Sequence, residues 1–240
     1  MIFVHEESGQ TDWTFADANT RDLTHIYHDY PARMVPQIPR RILKLLNIEK
    51  GIFFDPYCGS GTTLVEAAIR GLNGVGFDIN PLAKLISETK TDYSMEPEEL
   101  KKVIYDFAGW TMNPSGTPSI PNIKNLDFWF KPTAIKRLGL ITAYIKNISD
   151  PHIRNFFSVA ASETIRESSN TRKGEFKLYR YPVEKLETHY PNPFEIMNAK
   201  LERNYRGYVH FYNSMKKNEC RVKGLFVQLH KRNTGVNPSG

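Results

Sequence analysis

Residues 51–63 read Gly51-Ile52-Phe53-Phe54-Asp55-Pro56-Tyr57-Cys58-Gly59-Ser60-Gly61-Thr62-Thr63, and this stretch decides the fold. Ile52, Phe53 and Phe54 form a short apolar run of the kind that becomes a buried parallel strand. Asp55-Pro56 ends the run, because proline has no amide hydrogen to donate to a sheet. Gly59-Ser60-Gly61 predicts a tight turn. Residues 62–70 (TTLVEAAIR) then predict a helix with Leu64, Ala67 and Ala68 on one face. Strand, glycine turn and helix open a βαβ unit, in which missing side chains let backbone approach a ligand closely. The chain therefore reads as an α/β protein.

The ligand can be narrowed by elimination. A phosphate-cradling loop needs GxxxxGK[ST], and no lysine follows these glycines. The dinucleotide fingerprint GxGxxG fails as well, since Leu64 stands where its third glycine belongs. An acid before the turn, Asp55, suits an ammonium group better than a pyrophosphate. The second predicted strand, residues 74–77 (GVGF), ends at Asp78, where an acid can accept both hydroxyls of a ribose. An aminoacyl nucleoside satisfies both ends.

At these residues a resemblance is specific. Asp55-Pro56-Tyr57-Cys58-Gly59-Ser60-Gly61-Thr62-Thr63 resembles the S-adenosylmethionine motif of the DNA amino-methyltransferases, and Asp78-Ile79-Asn80-Pro81 resembles that family's second cofactor motif. Upstream, residues 24–36 (THIYHDYPARMVP) are similar to the segment that closes over the methionine end of the cofactor. Three motifs in the right order cover the first part of the chain. The resemblance implies a Rossmann-like methyltransferase sheet, incomplete here, carrying a mostly helical insertion. It implies S-adenosylmethionine contacts from Pro31, Ala32, Asp55, Tyr57, Cys58, Gly59, Ser60, Gly61, Thr62, Thr63, Asp78, Ile79 and Pro81. It also implies double-stranded DNA as substrate, methylated on N4 of cytosine or N6 of adenine within a restriction–modification system.

Composition sets bounds around that anchor. The chain has 240 residues and 27.7 kDa, enough for one domain with a sizeable insertion. Its apolar runs are too short and interrupted for a membrane span. The N-terminal residues lack a secretory pattern, so the expected location is cytoplasmic. Cys58 and Cys220 alone make neither a disulfide scaffold nor a cysteine-rich zinc site. His25 and His28 have no accompanying ligand cluster, and a packed or hydrogen-bonded pair is expected in place of a metal site. Charge is uneven: nine Lys or Arg and two Glu fall between Lys200 and Arg232, a net +7, against +6 for the whole chain. A block of that density attracts phosphates.

Outward from the turn, a helix is expected over 37–46, with Ile38, Ile42 and Leu45 on its apolar face. Further helices are expected over 81–90 and 96–110. Residues 111–122 hold three prolines and two serines and read as a linker. This divides the chain into a cofactor-binding part (1–110), a helical insertion for DNA recognition (111–220) and a returning strand with a tail (221–240). Within the insertion, helices are expected over 132–148, 151–166 and 194–215, the last with a basic face along DNA. Residues 162–182 (SETIRESSNTRKGEFKLYRYP) interleave cations with hydroxyls and amides, a mixture suited to phosphates and base edges. Arg166, Ser169, Arg172, Lys173, Lys177 and Arg180 are the candidate DNA contacts, projected by a turn at 172–174.

One departure from the family pattern is an absence. Amino-methyltransferases hold the target amine with [SDN]PP[YF], whose aromatic ring stacks on the extruded base. No such tetrapeptide occurs; Tyr190-Pro191-Asn192-Pro193-Phe194 is the nearest match and lacks the adjacent proline pair. No catalytic residue is therefore assigned. The expected enzyme is a cofactor-binding half whose catalytic motif comes from a second polypeptide or was lost, inactive by itself. Two alternatives stand beside it. One is a non-catalytic DNA-binding module that keeps the fold. The other is an RNA or protein methyltransferase using Asn192-Pro193-Phe194 as a degenerate site.

Overall fold

The computed structural model describes residues 13–31, 33–172 and 177–217, together with the backbone of 225–229. Ala32, Lys173, Gly174, Cys220 and the cations beyond Lys217 lie outside the described residues. A 3-10 helix, Leu23–Tyr27, leads to α1 (Gln37–Leu45). The expected βαβ unit follows as β1 (Ile52–Asp55), α2 (Thr62–Ile69), β2 (Asn73–Asp78) and α3 (Pro81–Thr91). β1 and β2 run parallel, with Phe54 opposite Val75.

Beyond α3 the described residues are mostly helical: α4 (Pro97–Met112) closes the first part, and the expected insertion holds α5 (Leu126–Trp129), α6 (Pro132–Lys146), α7 (Pro151–Glu167), α8 (Val183–Thr188) and α9 (Pro193–Lys217). Prolines open α3, α4, α6 and α7 in the first turn, where their missing donor is harmless. Asp150 caps α7 by accepting from the amides of His152 and Ile153. The chain then returns to the sheet as β3 (Leu225–Leu229), parallel to β2 on the side away from β1.

Two helices carry the interior. In α2 every residue from Thr62 to Ala68 is buried, the mark of a helix enclosed on all sides. α9 runs through the centre with Met197, Leu201, Tyr208, Phe211 and Met215 buried along one stripe. Its partners are the Leu23–Tyr27 helix, α7 and α4. The largest apolar cluster joins Tyr27 and Ile86 from the first part to Phe156, Phe157 and Tyr208 of the insertion. Residues 113–125 thus separate two parts of the chain without separating two cores. At about 1.5–3 kcal/mol for each large apolar side chain buried, this shared core fixes the insertion to the cofactor motifs.

Two expectations are corrected. The β1 strand is not buried: Ile52 and Phe54 are exposed on a face that no described element covers. In α1 the inward side chains are Pro39 and Leu43, while Ile42 and Leu45 are exposed. Arg40 of this helix reaches Glu66 of α2, so the face turned to α2 lies beside the expected apolar stripe and not on it.

Candidate cofactor and nucleic-acid site

The three motifs meet at the carboxyl ends of β1 and β2. Asp55, the last residue of β1, folds back on the turn: its carboxylate accepts from the Tyr57 amide at 3.0 Å and from the Thr63 hydroxyl. The Cys58 amide donates to the Phe77 carbonyl of β2 at 3.0 Å, drawing the turn over the neighbouring strand. Gly61 stands at φ +74°, and a Cβ there would lie 2.7 Å from Ser87 Cβ of α3. Glycine is therefore required twice over, for the left-handed backbone and for the close helix.

Asp78 links the first and second motifs. One carboxylate oxygen accepts from the Gly59 amide at 2.9 Å and the other from the Asn80 amide at 2.8 Å. A carboxylate offers about four acceptor positions, so two remain for ligand hydroxyls. The Asn80 side chain caps α3 through the Leu82 amide at 2.9 Å and donates to the Tyr30 hydroxyl at 3.0 Å. That last bond brings the upstream segment, with Pro31 exposed, against the second motif.

The side chains divide into two groups. Tyr57, Ile79 and Pro81 are exposed at the rim, and Asp55, Gly59 and Asp78 are half-buried. Cys58, Ser60, Thr62 and Thr63 are buried, so they shape the turn and present backbone rather than side chains. Burial, with Asp55 and Asp78 nearby, pushes the Cys58 thiol up to about 11, which keeps it protonated at neutral pH. Beside Asp78 lies a cleft of about 420 Å³ walled by Phe54, Pro56, Tyr57, Phe77 and Ile79. A second cleft, about 610 Å³, runs between Tyr30, Pro31 and Asn80 on one side and Trp129, Phe130 and Arg166 of the insertion on the other.

Behind the site, the upstream segment is anchored by charge that sequence reasoning missed. Buried His25 donates through Nε2 to Glu66 at 2.8 Å, and burial lowers its pKa to about 4, so it is neutral. Glu66 also accepts from Arg40 at 2.8 Å. Arg203 of α9 donates to Glu163 of α7 at 2.5 Å and to the Tyr27 carbonyl at 2.8 Å, while Glu163 accepts from the Asp29 amide at 2.8 Å. The motif leading to Pro31 is thereby clamped between α7 and α9. The separations, 134 residues from Asp29 to Glu163 and 176 from Tyr27 to Arg203, leave no local signal in the sequence.

These contacts take two cations, Lys200 and Arg203, from the basic face expected on α9, while Arg206, Lys216 and Lys217 stand exposed. Lys200 pairs with Glu163 at 3.4 Å and with Glu167, and Arg203 is turned inward with it. Ser169 is also placed differently from the expectation. It is buried, its hydroxyl 2.6 Å from that of Thr171 and 2.7 Å from the Arg166 carbonyl, so it builds the loop instead of reaching outward. The segment around it is a narrow hairpin with Thr171 bridged to Arg180. Arg180 lies over the Phe128 ring at 4.2 Å and donates to the Phe128 carbonyl at 3.0 Å. Arg166, Arg172 and Lys177 stand at the surface of this same region. Lys173 lies outside the described residues.

The nearest approach to a catalytic tetrapeptide is structural. Asn192 accepts from the Phe194 amide and donates to Glu195 at 2.6 Å, capping α9. Phe194 is buried, its ring 5.7 Å from Trp110, and cannot stack on a base. The degenerate-site alternative is withdrawn on that geometry.

Comparison with known proteins agrees with the position of the motifs. The family model described as DNA methylase matches residues 5–89. Over 213 residues, 84% of this chain, the sequence is 38% identical to the Type II methyltransferase M.MvaI of Kocuria varians, and the match takes in 47% of that protein. The Type II methyltransferase M.MjaII of Methanocaldococcus jannaschii is 37% identical over 87 residues, 36% of this chain and 16% of its own length. M.BsoBI of Geobacillus stearothermophilus, also a Type II methyltransferase, is 28% identical over 96 residues, 38% of this chain and 19% of its own. The chain thus spans about half of M.MvaI and smaller shares of the others. No solved structure matches it.

Proposed function

The chain belongs with the DNA amino-methyltransferases of restriction–modification type, and from that premise we propose that it is the cofactor-binding part of such an enzyme. Residues 1–110 form the platform for S-adenosylmethionine and residues 111–220 the surface that meets double-stranded DNA. The observation that carries the reading is the placement of Asp78. Its two unused acceptor positions open beside a cleft of about 420 Å³ whose aromatic and aliphatic walls suit a flat purine ring. The donor would bring an electrophilic methyl group on a sulfonium centre. Asp78 holds the ribose, the turn lies against the methionine portion, and the Pro31-Ala32 segment covers it. Cys58 remains a thiol and takes no part as a nucleophile.

On the DNA side, Arg166, Arg172, Lys173, Lys177 and Arg180 provide phosphate contacts, with Phe128 holding Arg180 in place. The methyl acceptor is the exocyclic amine of cytosine N4 or adenine N6. The groups that orient this amine belong to a [SDN]PP[YF] segment, which does not occur in these 240 residues. Among the described residues no helix is long and apolar enough to cross a membrane.

Calorimetric titration of the chain with S-adenosylmethionine tests the cofactor assignment. Micromolar binding is expected, with Asp78→Ala weakening it at least tenfold. Equal binding by wild type and variant would overturn the assignment of Asp78, and the absence of binding would overturn the platform.

A further inference from the structure

The hairpin bridged at Thr171 and Arg180 is fastened to the insertion at its base. The Asn170 amide donates to the Trp129 carbonyl at 2.7 Å, and the Asn170 side chain donates to the Phe128 carbonyl at 3.2 Å. Arg180 donates to that same Phe128 carbonyl, and the Tyr181 amide donates to the Asn170 carbonyl at 2.8 Å. His189 donates to the Ser169 carbonyl at 3.0 Å, with its ring 5.0 Å from that of Tyr181. These contacts fall at residues 169–171 and 180–181 and give the hairpin a fixed footing.

Past the footing, the Arg172 amide donates to the Tyr179 carbonyl at 2.8 Å, and the next residue outward is Leu178, which is 64% exposed. Alternate residues of an extended arm share a face. Leu178 therefore lies on the side of Arg180, whose guanidinium covers Phe128, and it lines the cleft of about 610 Å³ beside Trp129 and Phe130. Lys177, adjacent in the chain, and Arg172, on the opposite arm, are both exposed, and Arg166 lines the same cleft. A lone leucine at a surface is ordinary. A leucine on an anchored hairpin among cations is placed for a duplex: the cations draw the hairpin to the phosphates, and a two-stranded ribbon fits the major groove. Apolar side chains brought to DNA in this way act as wedges between base steps.

We propose that Leu178 is a positioning residue that enters the duplex beside the target base and occupies the gap that the base leaves. A base methylated on its exocyclic amine has to leave the stack, at the expense of its stacking contacts. Leucine in the vacated space gives the flanking base pairs an apolar surface and blocks the base from returning. The side chain has no donor or acceptor, so it reads no base edge. It acts on the stack alone. Its place on the cleft sends the extruded base towards Tyr30, Pro31 and Asn80, which line the same cleft from the side of the cofactor motifs. The inference rests on the reading of residues 111–220 as the DNA surface, and adds which side chain holds the duplex open.

The test measures binding of the full chain, by fluorescence anisotropy, to two duplexes of one sequence: one intact, the other with a single abasic site where the gap is already open. The parent chain should bind the abasic duplex about tenfold more tightly, because no base has to be unstacked. Leu178→Ala, at a side chain largely in solvent, should keep the parent's circular dichroism, its affinity for the intact duplex and its salt slope. It should bind the two duplexes alike. Leu178→Phe still fills a gap and should retain the preference. A parent chain without that preference would overturn the inference, and so would a Leu178→Ala variant that keeps it. Weaker binding of both duplexes by Leu178→Ala, with a shallower salt slope, would make Leu178 a support of the hairpin and overturn the inference too. The two readings fail differently: equal binding of both duplexes by the parent refutes the wedge alone, and binding of neither refutes the DNA surface and the wedge with it.

Discussion

Lys90 of α3 is fully buried, with no hydrogen-bond partner for its ammonium among the described residues, and burial first and Arg33 second bring its pKa from 10.5 down to about 7. The folded value lies below the unfolded one, so the contribution of Lys90 to stability is complete above pH 10.5 and is lost as pH falls to 7. Its neighbour His25 follows the same sign lower down: complete above 6.5, lost as pH falls towards 4. Lys90→Met, which keeps the length and removes the charge, should therefore stabilise the protein at pH 7 by roughly 2 kcal/mol. It should also flatten the rise in melting temperature between pH 7 and 9.5. A variant that melts lower than the parent at pH 7 would show that the ammonium has a stabilising role. Lysine in a helix pattern is ordinarily a surface residue, and its burial here depends on packing by elements far away in the chain, which no local pattern announces.

Among the elements, the contact between α9 and the Leu23–Tyr27 helix decides where the upstream motif sits. Gly207 of α9 lies directly under it: an added Cβ would press on the Leu23 carbonyl oxygen and come within 2.8 Å of Ile26. Gly207→Ala improves the intrinsic helix propensity of α9 by about 1 kcal/mol, yet it forces the two helices apart. The expected outcome is a net loss of about 2 kcal/mol in urea unfolding, with weaker S-adenosylmethionine binding because Tyr30 leaves Asn80. The elements themselves were legible. Proline in first turns, Asp150 as a cap and the glycine turn placed α3, α4, α6, α7 and the βαβ unit within a few residues of their observed ends. Their facing was less so. Arg40, Lys200 and Arg203 all look like solvent residues by type, and each is paired with Glu66 or Glu163, acids that are themselves buried. Charge pairing across helices overrides a periodicity read from one helix at a time.

For the whole molecule, two of the nine cations over residues 200–232, Lys200 and Arg203, are engaged in internal pairs, while Arg206, Lys216 and Lys217 are exposed. Exposed cations remain along the hairpin that borders the cleft of about 610 Å³. Binding of double-stranded DNA should fall linearly with the logarithm of salt concentration. Arg172→Ala and Lys177→Ala should each reduce the slope by about 1, as fluorescence anisotropy at several salt concentrations would report; an unchanged slope places the DNA elsewhere. The strand, glycine turn and helix over 52–69 were legible because their backbone geometry constrains consecutive residues. The exposure of Ile52 and Phe54 was not, because an apolar run predicts burial. The buried Cys58 thiol has a separate use. Thiolate is the reactive form, and this one is both enclosed and held protonated, so alkylation has to wait for the turn to open. With Cys220→Ser in place, the iodoacetamide reaction rate becomes a clock for that opening. Saturating S-adenosylmethionine should slow it at least tenfold, turning a silent side chain into a stopwatch for the opening of that turn.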